Sequence, residues 1–437
     1  MGKLARIDAS PTRGMKDYLP AEVEMRAAMI SVILDTYKMR GFKQIETPAV
    51  ENLDRLLDSG GGDNEKLIFK ILKRGAKLVD AFDDPDSLCD LGLRFDLTVP
   101  LARYYAQNFA RLDPVFRSIQ VGPVWRAERP QKGRLRQFMQ CDIDIVGEAS
   151  VLAELELIST SLDAVAKLGV DHLTLRYNDR RFLDALLNWS NIPHESWKTV
   201  LVVMDKLDKI GREGVISEIV NLNFEPKAQA KITSYLEFAE PLSKLPFGFF
   251  SEIGLSDGVI SDLEAIAGLA NAKSLNGVKF VFDPTVIRGM GYYTGPIFEL
   301  GVDDMAVSVG GGGRYDSMMG RFGRPAPACG FSLGFERLAI YLEAVNTETA
   351  SGPAQLYIRC DVPSDYPRAL EIARALSDQN VTVAIGGSSR KLDAVLRTLR
   401  IQYGSQTSMT LPWVALLEVS ALSVKLHRII GDPPEIS

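Results

Sequence analysis

Residues 116–147 read FRSIQVGPVWRAERPQKGRLRQFMQCDIDIVG and place a basic loop between two apolar, strand-like segments. The cations of this loop are Arg126, Arg129, Lys132, Arg134 and Arg136, and Glu128 opposes them. The whole chain is acidic, with a formal net charge of -6, so this local reversal of charge needs an explanation. An isolated run of charges usually marks a solvated hairpin tip, but the segment after the loop argues against that interpretation.

That segment alternates polar and apolar residues. Gln140, Asp142 and Asp144 are separated by Cys141 and Ile143. A period of two predicts a strand with the three polar side chains on one face. A polar strand face beside several guanidinium groups is expected for a site that holds an anion together with a hydrogen-bonding small molecule.

Length and composition indicate an ordinary globular protein. The chain has 437 residues, of which 46% are hydrophobic and 24% charged, enough for two or three domains with substantial cores. The N-terminus has no apolar signal region, and no run of about 18 apolar residues occurs, so a cytoplasmic location is predicted. The negative net charge argues against general affinity for nucleic acids, but it is compatible with RNA binding at a local basic patch.

Cysteine and histidine are too sparse and scattered for a metal site. The four cysteines show no CxxC spacing, which argues against both zinc and a disulfide framework. The three histidines have no carboxylate or cysteine partner at ligand spacing. No protein-bound metal is therefore predicted.

Segments before the basic loop predict further elements. Residues 20–40 show apolar residues at helical spacing, and Gly41 is a plausible residue to end that helix. In LRFDLTVP (93–100), Arg94, Asp96 and Thr98 alternate with apolar residues, which predicts a strand with a polar face. A solvated edge strand is an equally good interpretation of that pattern.

Three segments after the loop are also informative. RGMGYYTG (288–295) combines an arginine with a tyrosine pair, although such pairs more often belong to a core than to a binding site. GGGRYD (311–316) precedes GFSLGFERL (330–338), where Arg337 is expected in the first turns of a helix that begins near Gly334. From residue 354 onward, QLYIRC, VTVAIGG and PWVALLEV predict buried parallel strands separated by helices.

These motifs resemble a known family. WRAERPQKGRLRQF (125–138) is similar to motif 2 of the class II aminoacyl-tRNA synthetases, and its wording resembles that of the histidyl-tRNA synthetases. RGMGYYTG and the pair GGGRYD with GFSLGFERL are similar to the two histidine-specific elements and motif 3 of that family. Gly291 stands where the family usually has aspartate. The resemblance is close over residues 10–345 and loose beyond them.

The resemblance implies an α+β fold, in which a class II antiparallel sheet is flanked by helices. Residues 1–176 and 276–350 would form the catalytic domain, and residues 177–275 a helical insertion. Residues 351–437 would form a small α/β anticodon-binding-like domain with a divergent end. By the same resemblance, the predicted helix at residues 20–40 and the strand-like FKQIETPAVE (42–51) after it correspond to motif 1, through which a homodimer is implied.

The implied activity is that of a histidine–tRNA ligase, which uses ATP with Mg²⁺ to activate L-histidine and transfers it to the 3′ end of tRNA(His). The implied catalytic residues are Arg126, Arg288 and Arg337. The implied histidine-binding residues are Asp96, Thr98, Arg126, Gln140, Asp144, Arg288, Tyr292, Tyr293 and Tyr315. The implied ATP-binding residues are Arg126, Glu128, Arg134, Phe138 and Arg337. Arg390, Lys391, Arg397 and Arg400 would form either a tRNA-binding helix face or a solvated one.

A rival interpretation comes from a different class of function. Catalytically silent relatives act as histidine-sensing regulatory subunits of ATP phosphoribosyltransferase. Gly291 and the divergent C-terminus favour that reading, whereas Arg126, Arg288 and Arg337 oppose it, as does the presence of a C-terminal domain. A synthetase for another amino acid is disfavoured by the Tyr292–Tyr293 context.

Overall fold

The computed structural model describes residues 8–57, 67–130, 134–287, 292–303, 305, 307–345, 354–360, 362–377, 381–386, 392–404, 414–420 and 424–430. The chain divides into two compact units, Met1–Ala339 and Ile340–Ser437, which we call unit 1 and unit 2. No helix in the described ranges is long and apolar enough to cross a membrane.

The helices are α1 (Pro20–Met39), α2 (Leu53–Leu57), α3 (Ala76–Asp80), α4 (Thr98–Asn108), α5 (Leu152–Lys167), α6 (Arg180–Trp189), α7 (Trp197–Met204), α8 (Leu207–Val220), α9 (Pro226–Phe238), α10 (Phe247–Glu252), α11 (Asp257–Gly268), α12 (Asp316–Arg321), α13 (Phe335–Val345), α14 (Tyr366–Ser377) and α15 (Leu392–Gly404). The strands are β1 (Lys43–Gln44), β2 (Val50–Asn52), β3 (Lys70–Leu72), β4 (Cys89–Leu93), β5 (Phe116–Trp125), β6 (Gln137–Val146), β7 (Leu173–Asp179), β8 (Lys279–Phe282), β9 (Pro296–Val302), β10 (Gly310–Arg314), β11 (Ala328–Gly334), β12 (Ala354–Cys360), β13 (Val381–Gly386), β14 (Val414–Val419) and β15 (Val424–Ile430).

Unit 1 is built on an eight-stranded sheet with the strand order β1-β5-β6-β11-β10-β9-β7-β8. The neighbours from β5 to β7 in that order pair antiparallel, and the two edge strands, β1 and β8, pair parallel. The predicted antiparallel sheet flanked by helices is therefore confirmed. The strands β2, β4 and β3 form a separate three-stranded sheet.

The basic loop connects β5 to β6, and these strands pair in register from Phe116 opposite Val146 to Trp125 opposite Gln137. Residues directly opposite one another lie on the same face of a sheet. Ile119, Ile143 and Phe331 form one such row on β5, β6 and β11, and all three are buried. Helices α1 and α5 pack against these strands. The other face of the same strands is polar, and it carries the candidate site.

Helix α1 confirms the helix predicted before motif 2. Its buried residues include Met29, Ile33 and Tyr37, which are spaced by four residues and therefore share one face. Gly41 has a φ of 86°, a conformation that glycine adopts without steric cost after a helix end.

The strand predicted for Arg94 to Thr98 is wrong. Strand β4 ends at Leu93, and Thr98 is already the first residue of α4. The physical reason is a local hydrogen bond: Asp96, which precedes the N-cap residue Leu97, accepts one of 3.1 Å at Oδ1 from the backbone N–H of Val99. A carboxylate that satisfies a free N–H at a helix start favours a helix over a continued strand. The apolar run LIFKIL (67–72) also predicts a strand, and the observed β3 covers only its second half, Lys70–Leu72.

Between β7 and β8 the described chain is helical, from α6 to α11. Aromatic residues hold this region to the sheet: Phe182 of α6 lies 5.4 Å from the ring of Phe282 on β8 and 5.8 Å from that of Phe250 on α10. Edge-to-face packing of this kind adds to the hydrophobic stabilisation. This helical region belongs to unit 1.

Unit 2 contains a four-stranded sheet with the order β13-β12-β14-β15. Its first three strands pair parallel, as the sequence predicts, and β15 adds an antiparallel edge that the sequence did not reveal. Leu356, Ile358 and Leu417 form a buried core with Ala369 of α14. Unit 2 is thus a small α/β unit.

Candidate active site

The polar face of the large sheet is buried although it carries charges. Gln140, Asp142 and Asp144 of β6 are 8%, 4% and 3% exposed. Asp142 lies opposite Gln120 of β5 and Ser332 of β11, and all three are polar. The polar strand face predicted from the alternation is therefore real, and it lies inside unit 1.

Three acceptor atoms follow one another along this face. Gln140 Oε1, Asp142 Oδ1 and Asp144 Oδ2 are buried and have no hydrogen-bond partner among the described residues. A buried acceptor without a partner costs about 1–3 kcal/mol, so three in a row on one strand indicate a binding site for a ligand with several N–H groups.

Asp144 is held by Tyr315. The Tyr315 hydroxyl donates a hydrogen bond of 2.6 Å to Asp144 Oδ1, and both side chains are buried. Burial raises the pKa of Asp144 to about 7, although the hydrogen bond from Tyr315 opposes that shift. At neutral pH this carboxyl therefore exists in both forms, and it can either donate to or accept from a ligand.

Glycines let these groups approach one another. A Cβ on Gly330 would lie 2.1 Å from Asp144 Oδ1, and a Cβ on Gly313 would lie 3.0 Å from the Tyr293 ring. The four consecutive glycines, 310–313, belong to β10, an inner strand of the sheet, and do not form a turn. A strand of glycines leaves room above the sheet for the aromatic rings of the site.

Tyr292 and Tyr293 lie side by side, with their ring centroids 4.5 Å apart. Burial raises the pKa of Tyr292, and the charges of Asp96 and Asp142 raise it further, whereas a hydrogen bond with Tyr293 lowers it. Tyr292 thus lies within electrostatic range of Asp96 and Asp142. Arg288 and Gly291 lie outside the described residues.

Asp96 and Arg126 lie at the end of the polar face. Arg126 donates a hydrogen bond of 3.0 Å from Nε to the Phe95 carbonyl, and its guanidinium lies 5.0 Å from the centre of the Phe138 ring. Burial raises the pKa of Asp96, and its backbone hydrogen bonds and the charge of Arg126 lower it. Thr98, the first residue of α4, follows Asp96 closely in the chain.

The loop residues form a less buried group. Arg134 is paired with Glu128 at 3.4 Å, and about half of the Arg134 side chain is exposed. Arg136 donates a hydrogen bond of 3.0 Å to the Glu128 carbonyl. Residues 131–133 lie outside the described part of the chain.

Arg337 follows β11 at the start of α13, as predicted, and donates a hydrogen bond of 2.5 Å to the Ser308 carbonyl. Its neighbour Glu336 accepts two hydrogen bonds from Arg26 of α1, at 2.6 and 2.7 Å. Glu336 also accepts one of 3.1 Å from the backbone N–H of Met139. The position of Glu336 beside Arg337 in the motif was visible in the sequence, but its partner Arg26 was not.

The sequence also missed a buried network behind the site. Arg94 donates to the carbonyls of Thr47 and Pro123, at 2.7 and 3.0 Å. The Thr47 hydroxyl donates to Gln120 at 3.0 Å, and Gln120 donates to the Leu97 carbonyl at 2.8 Å. This network joins the chain before α4 to the centre of the sheet. Alternation alone had placed Arg94 only on a polar strand face.

Within the described ranges, no group of three or more His, Cys, Asp or Glu side chains could hold a metal ion.

Comparisons with known proteins place this chain in a family. A family model described as histidyl-tRNA synthetase matches residues 14–338. A histidine–tRNA ligase of Leifsonia xyli subsp. xyli is 46% identical over 401 residues, which cover 89% of this chain and 92% of that protein. The histidyl-tRNA synthetase of Nostoc sp. PCC 7120 has a similar fold, with a TM-score of 0.72, 24% identity and 97% of each chain covered.

A second solved structure shares the fold at 20% identity. It is an ATP phosphoribosyltransferase regulatory subunit/histidyl-tRNA synthetase from Bacillus halodurans C, with a TM-score of 0.71, covering 95% of this chain and 100% of that one. The family model and the ligase of Leifsonia confirm the resemblance that the motifs carry. The chain belongs to the histidyl-tRNA synthetase family.

Proposed function

We propose that this protein is a histidine–tRNA ligase that forms histidyl-adenylate from L-histidine and ATP and then transfers the histidyl group to the 3′ end of tRNA(His). The observation that carries this proposal is the buried pair of Asp144 and Tyr315, 2.6 Å apart, on a polar sheet face that leads to Arg126. Curated relatives named histidine–tRNA ligase support it.

Adenylate formation brings two anions together, because the carboxylate of histidine attacks the α-phosphorus of ATP and pyrophosphate leaves. A fixed guanidinium stabilises the charge that develops on the phosphorus oxygens. Arg126 takes this role and also holds the carboxylate of histidine, since the Phe95 carbonyl and the Phe138 ring hold it at the end of the polar face. Arg288 is the second catalytic arginine of the proposal, and its role rests on the motif alone.

We assign the other ATP contacts to residues of α13, of the loop between β5 and β6, and of β6 itself. Arg337 meets the γ-phosphate from the start of α13, and Arg134 adds a further phosphate contact beside Glu128. The Phe138 ring offers a surface for adenine. Mg²⁺ enters as part of the ATP substrate, because this ion usually binds through phosphates and only one or two carboxylates, and Glu128 is the carboxylate available on the loop.

Histidine recognition needs a partner for each ring nitrogen, because neutral imidazole has one donor and one acceptor. Asp144 takes one nitrogen and Tyr293 the other, with Tyr292 and Tyr315 lining the pocket. Asp96, Thr98 and Gln140 meet the amino end. A buried site of this kind rejects analogues without the ring nitrogens by roughly 10⁴-fold, since its polar groups would be left unpaired.

The proposal extends to the rest of the chain. Residues 1–176 and 276–350 act as the catalytic domain, and residues 177–275 as a helical insertion. Residues 351–437 act as an anticodon-binding domain, in which Arg397 lies exposed on α15. The working form is a homodimer in the cytoplasm, where tRNA is charged. The family membership supports each of these assignments.

Histidine-dependent exchange of pyrophosphate into ATP, followed by charging of tRNA, tests the function. We expect both activities in the wild-type protein and loss of both in Arg126→Ala. The exposed Arg111 provides a control, and Arg111→Ala should keep both. Histidine binding without exchange would instead favour the rival function, a regulatory subunit of ATP phosphoribosyltransferase.

A further inference from the structure

Asp142 is a buried carboxylate for which the proposed reaction has given no task. It is 4% exposed, and its Oδ1 has no hydrogen-bond partner within the described ranges. Its Oδ2 accepts a long hydrogen bond of 3.4 Å from Gln140 Nε2. Leaving a carboxylate oxygen buried and unpaired is costly, so a ligand that pairs with it would be strongly favoured.

The strand geometry tells which part of a bound histidine lies nearest to Asp142. Asp142 and Asp144 are two residues apart on one face of β6, a separation of about 6.7 Å along a strand. The span from the far ring nitrogen of histidine to its α-nitrogen is similar. If Asp144 pairs with a ring nitrogen, the α-nitrogen reaches the level of Asp142.

The direction along the strand agrees with this placement. Arg126 follows Trp125, which pairs with Gln137, and its guanidinium lies over Phe138, so it marks the end of β6 away from Asp144. A histidine with its ring at Asp144 and its carboxylate at Arg126 has its α-carbon and ammonium between them. Asp142 lies on that stretch of the face.

The charges favour a cation at this position. Burial raises the pKa of Asp142 well above its ordinary value, and the charges of Asp144 and Asp96 raise it further. Burial and the charge of Asp96 also raise the pKa of Asp144. Arg126 opposes this at Asp142 and Asp96. A cationic ammonium group placed among three carboxylates would relieve their repulsion.

We propose that Asp142 binds the α-ammonium group of L-histidine through its unpaired Oδ1 and so selects amino acids over imidazole compounds that lack an amino group. This inference rests on the proposed function, since it adds one contact to the same histidine site. Gln140 and Asp96 then flank the ammonium rather than holding it alone. Asp142 is a binding residue in this scheme and takes no part in bond making.

The test compares three ligands that share the imidazole ring. L-Histidine and L-histidinol carry the amino group, whereas 3-(imidazol-4-yl)propionate lacks it. Asp142→Asn keeps the size of the side chain but removes its charge. By calorimetric titration, we expect the Kd of the variant to rise about 10- to 100-fold for histidine and histidinol, as for the loss of a charge-assisted hydrogen bond. The Kd for the propionate should stay within about 3-fold.

Ile143→Val is the matched control, because Ile143 lies between the two aspartates on the opposite, apolar face of β6, and it should leave all three affinities unchanged. Equal losses for all three ligands, or an unchanged histidine Kd in Asp142→Asn, would overturn this inference while leaving the proposed function intact. A wild-type protein that binds no histidine would overturn both. Steady-state exchange gives a second readout: the KM for histidine should rise in Asp142→Asn and the KM for ATP should not.

Discussion

At the scale of the single residue, Asp144 shows how this fold gives up stability to form a site. Its carboxyl is 3% exposed, and its Oδ2 has no partner within the described part of the chain. Burial raises its pKa to about 7 from an ordinary value of 3.8. Ionising Asp144 therefore costs more free energy in the folded protein than in the unfolded chain. The resulting loss of stability grows as the pH rises from 3.8 to about 7.

This difference predicts that Asp144→Asn becomes more stable relative to the wild type as the pH rises. The folded state binds the proton more tightly, so the contribution of Asp144 to stability is fully present below pH 3.8 and is lost as the pH rises to about 7. The amide keeps an acceptor for Tyr315 and cannot ionise. We expect the variant to gain up to about 4 kcal/mol over the wild type at pH 8 compared with acid pH.

Urea denaturation of both proteins at pH 4.5 and pH 8 measures this gain. Asp17→Asn, at an exposed position, is the control and should change stability little at either pH. A variant whose advantage does not increase with pH would show that Asp144 is not strained in its ionised form.

At the scale of the element, four parts of unit 1 meet at one carboxylate. Glu336 at the start of α13 binds Arg26 of α1 through two hydrogen bonds, the Tyr18 hydroxyl at 3.1 Å and the backbone of β6 at Met139. Arg26 and Glu336 each have 12% of their side chains exposed, and the Arg26 guanidinium lies 4.0 Å from the centre of the Tyr18 ring. These contacts hold the helix that begins beside Arg337.

Removing one partner of this pair should be more costly than removing both. Arg26→Met leaves Glu336 nearly buried without its cation, and we expect a loss of about 3 kcal/mol in the free energy of unfolding. In the Glu336→Gln background the same change should cost much less, since no charge is left unpaired. A double-mutant cycle by urea denaturation measures the coupling, and additive losses would contradict the predicted interaction.

At the scale of the whole molecule, the two units should divide the proposed reaction. Every described residue proposed for histidine or ATP binding lies in unit 1, whereas unit 2 has its own sheet and core. A chain that ends at Val345 should therefore keep histidine-dependent pyrophosphate exchange. Charging of tRNA should fall by about 100-fold or more, because the tRNA-phosphate contacts proposed for unit 2 would be lost.

Circular dichroism and histidine titration establish whether the shortened chain is folded. A folded chain that still charged tRNA at the wild-type rate would rule out the proposed role of unit 2. A folded chain without exchange would place part of the adenylation machinery beyond Val345.

Much of the fold could be predicted from local patterns. Helical spacing predicted α1, alternation predicted β6, and short apolar runs predicted the parallel strands of unit 2. These patterns suffice where the period of the apolar residues matches one element. Alternation gave the wrong element at Arg94 to Thr98, because Asp96 accepts a hydrogen bond from the N–H of Val99 in the first turn of α4. The period of apolar residues carries no information about such a local polar interaction.

The sequence by itself determined the family, the sheet-forming segments and the residue types of the site, since these depend on motifs and on neighbours along the chain. The tertiary structure alone decided that the polar face of β6 is buried, that Asp144 meets Tyr315 171 residues away, and that Glu336 binds Arg26 310 residues away. Alternation separates the two faces of a strand but cannot say which face lies inside, because that depends on what packs above it. The unpaired Oδ1 of Asp142 could be recognised only once the residues around it were known.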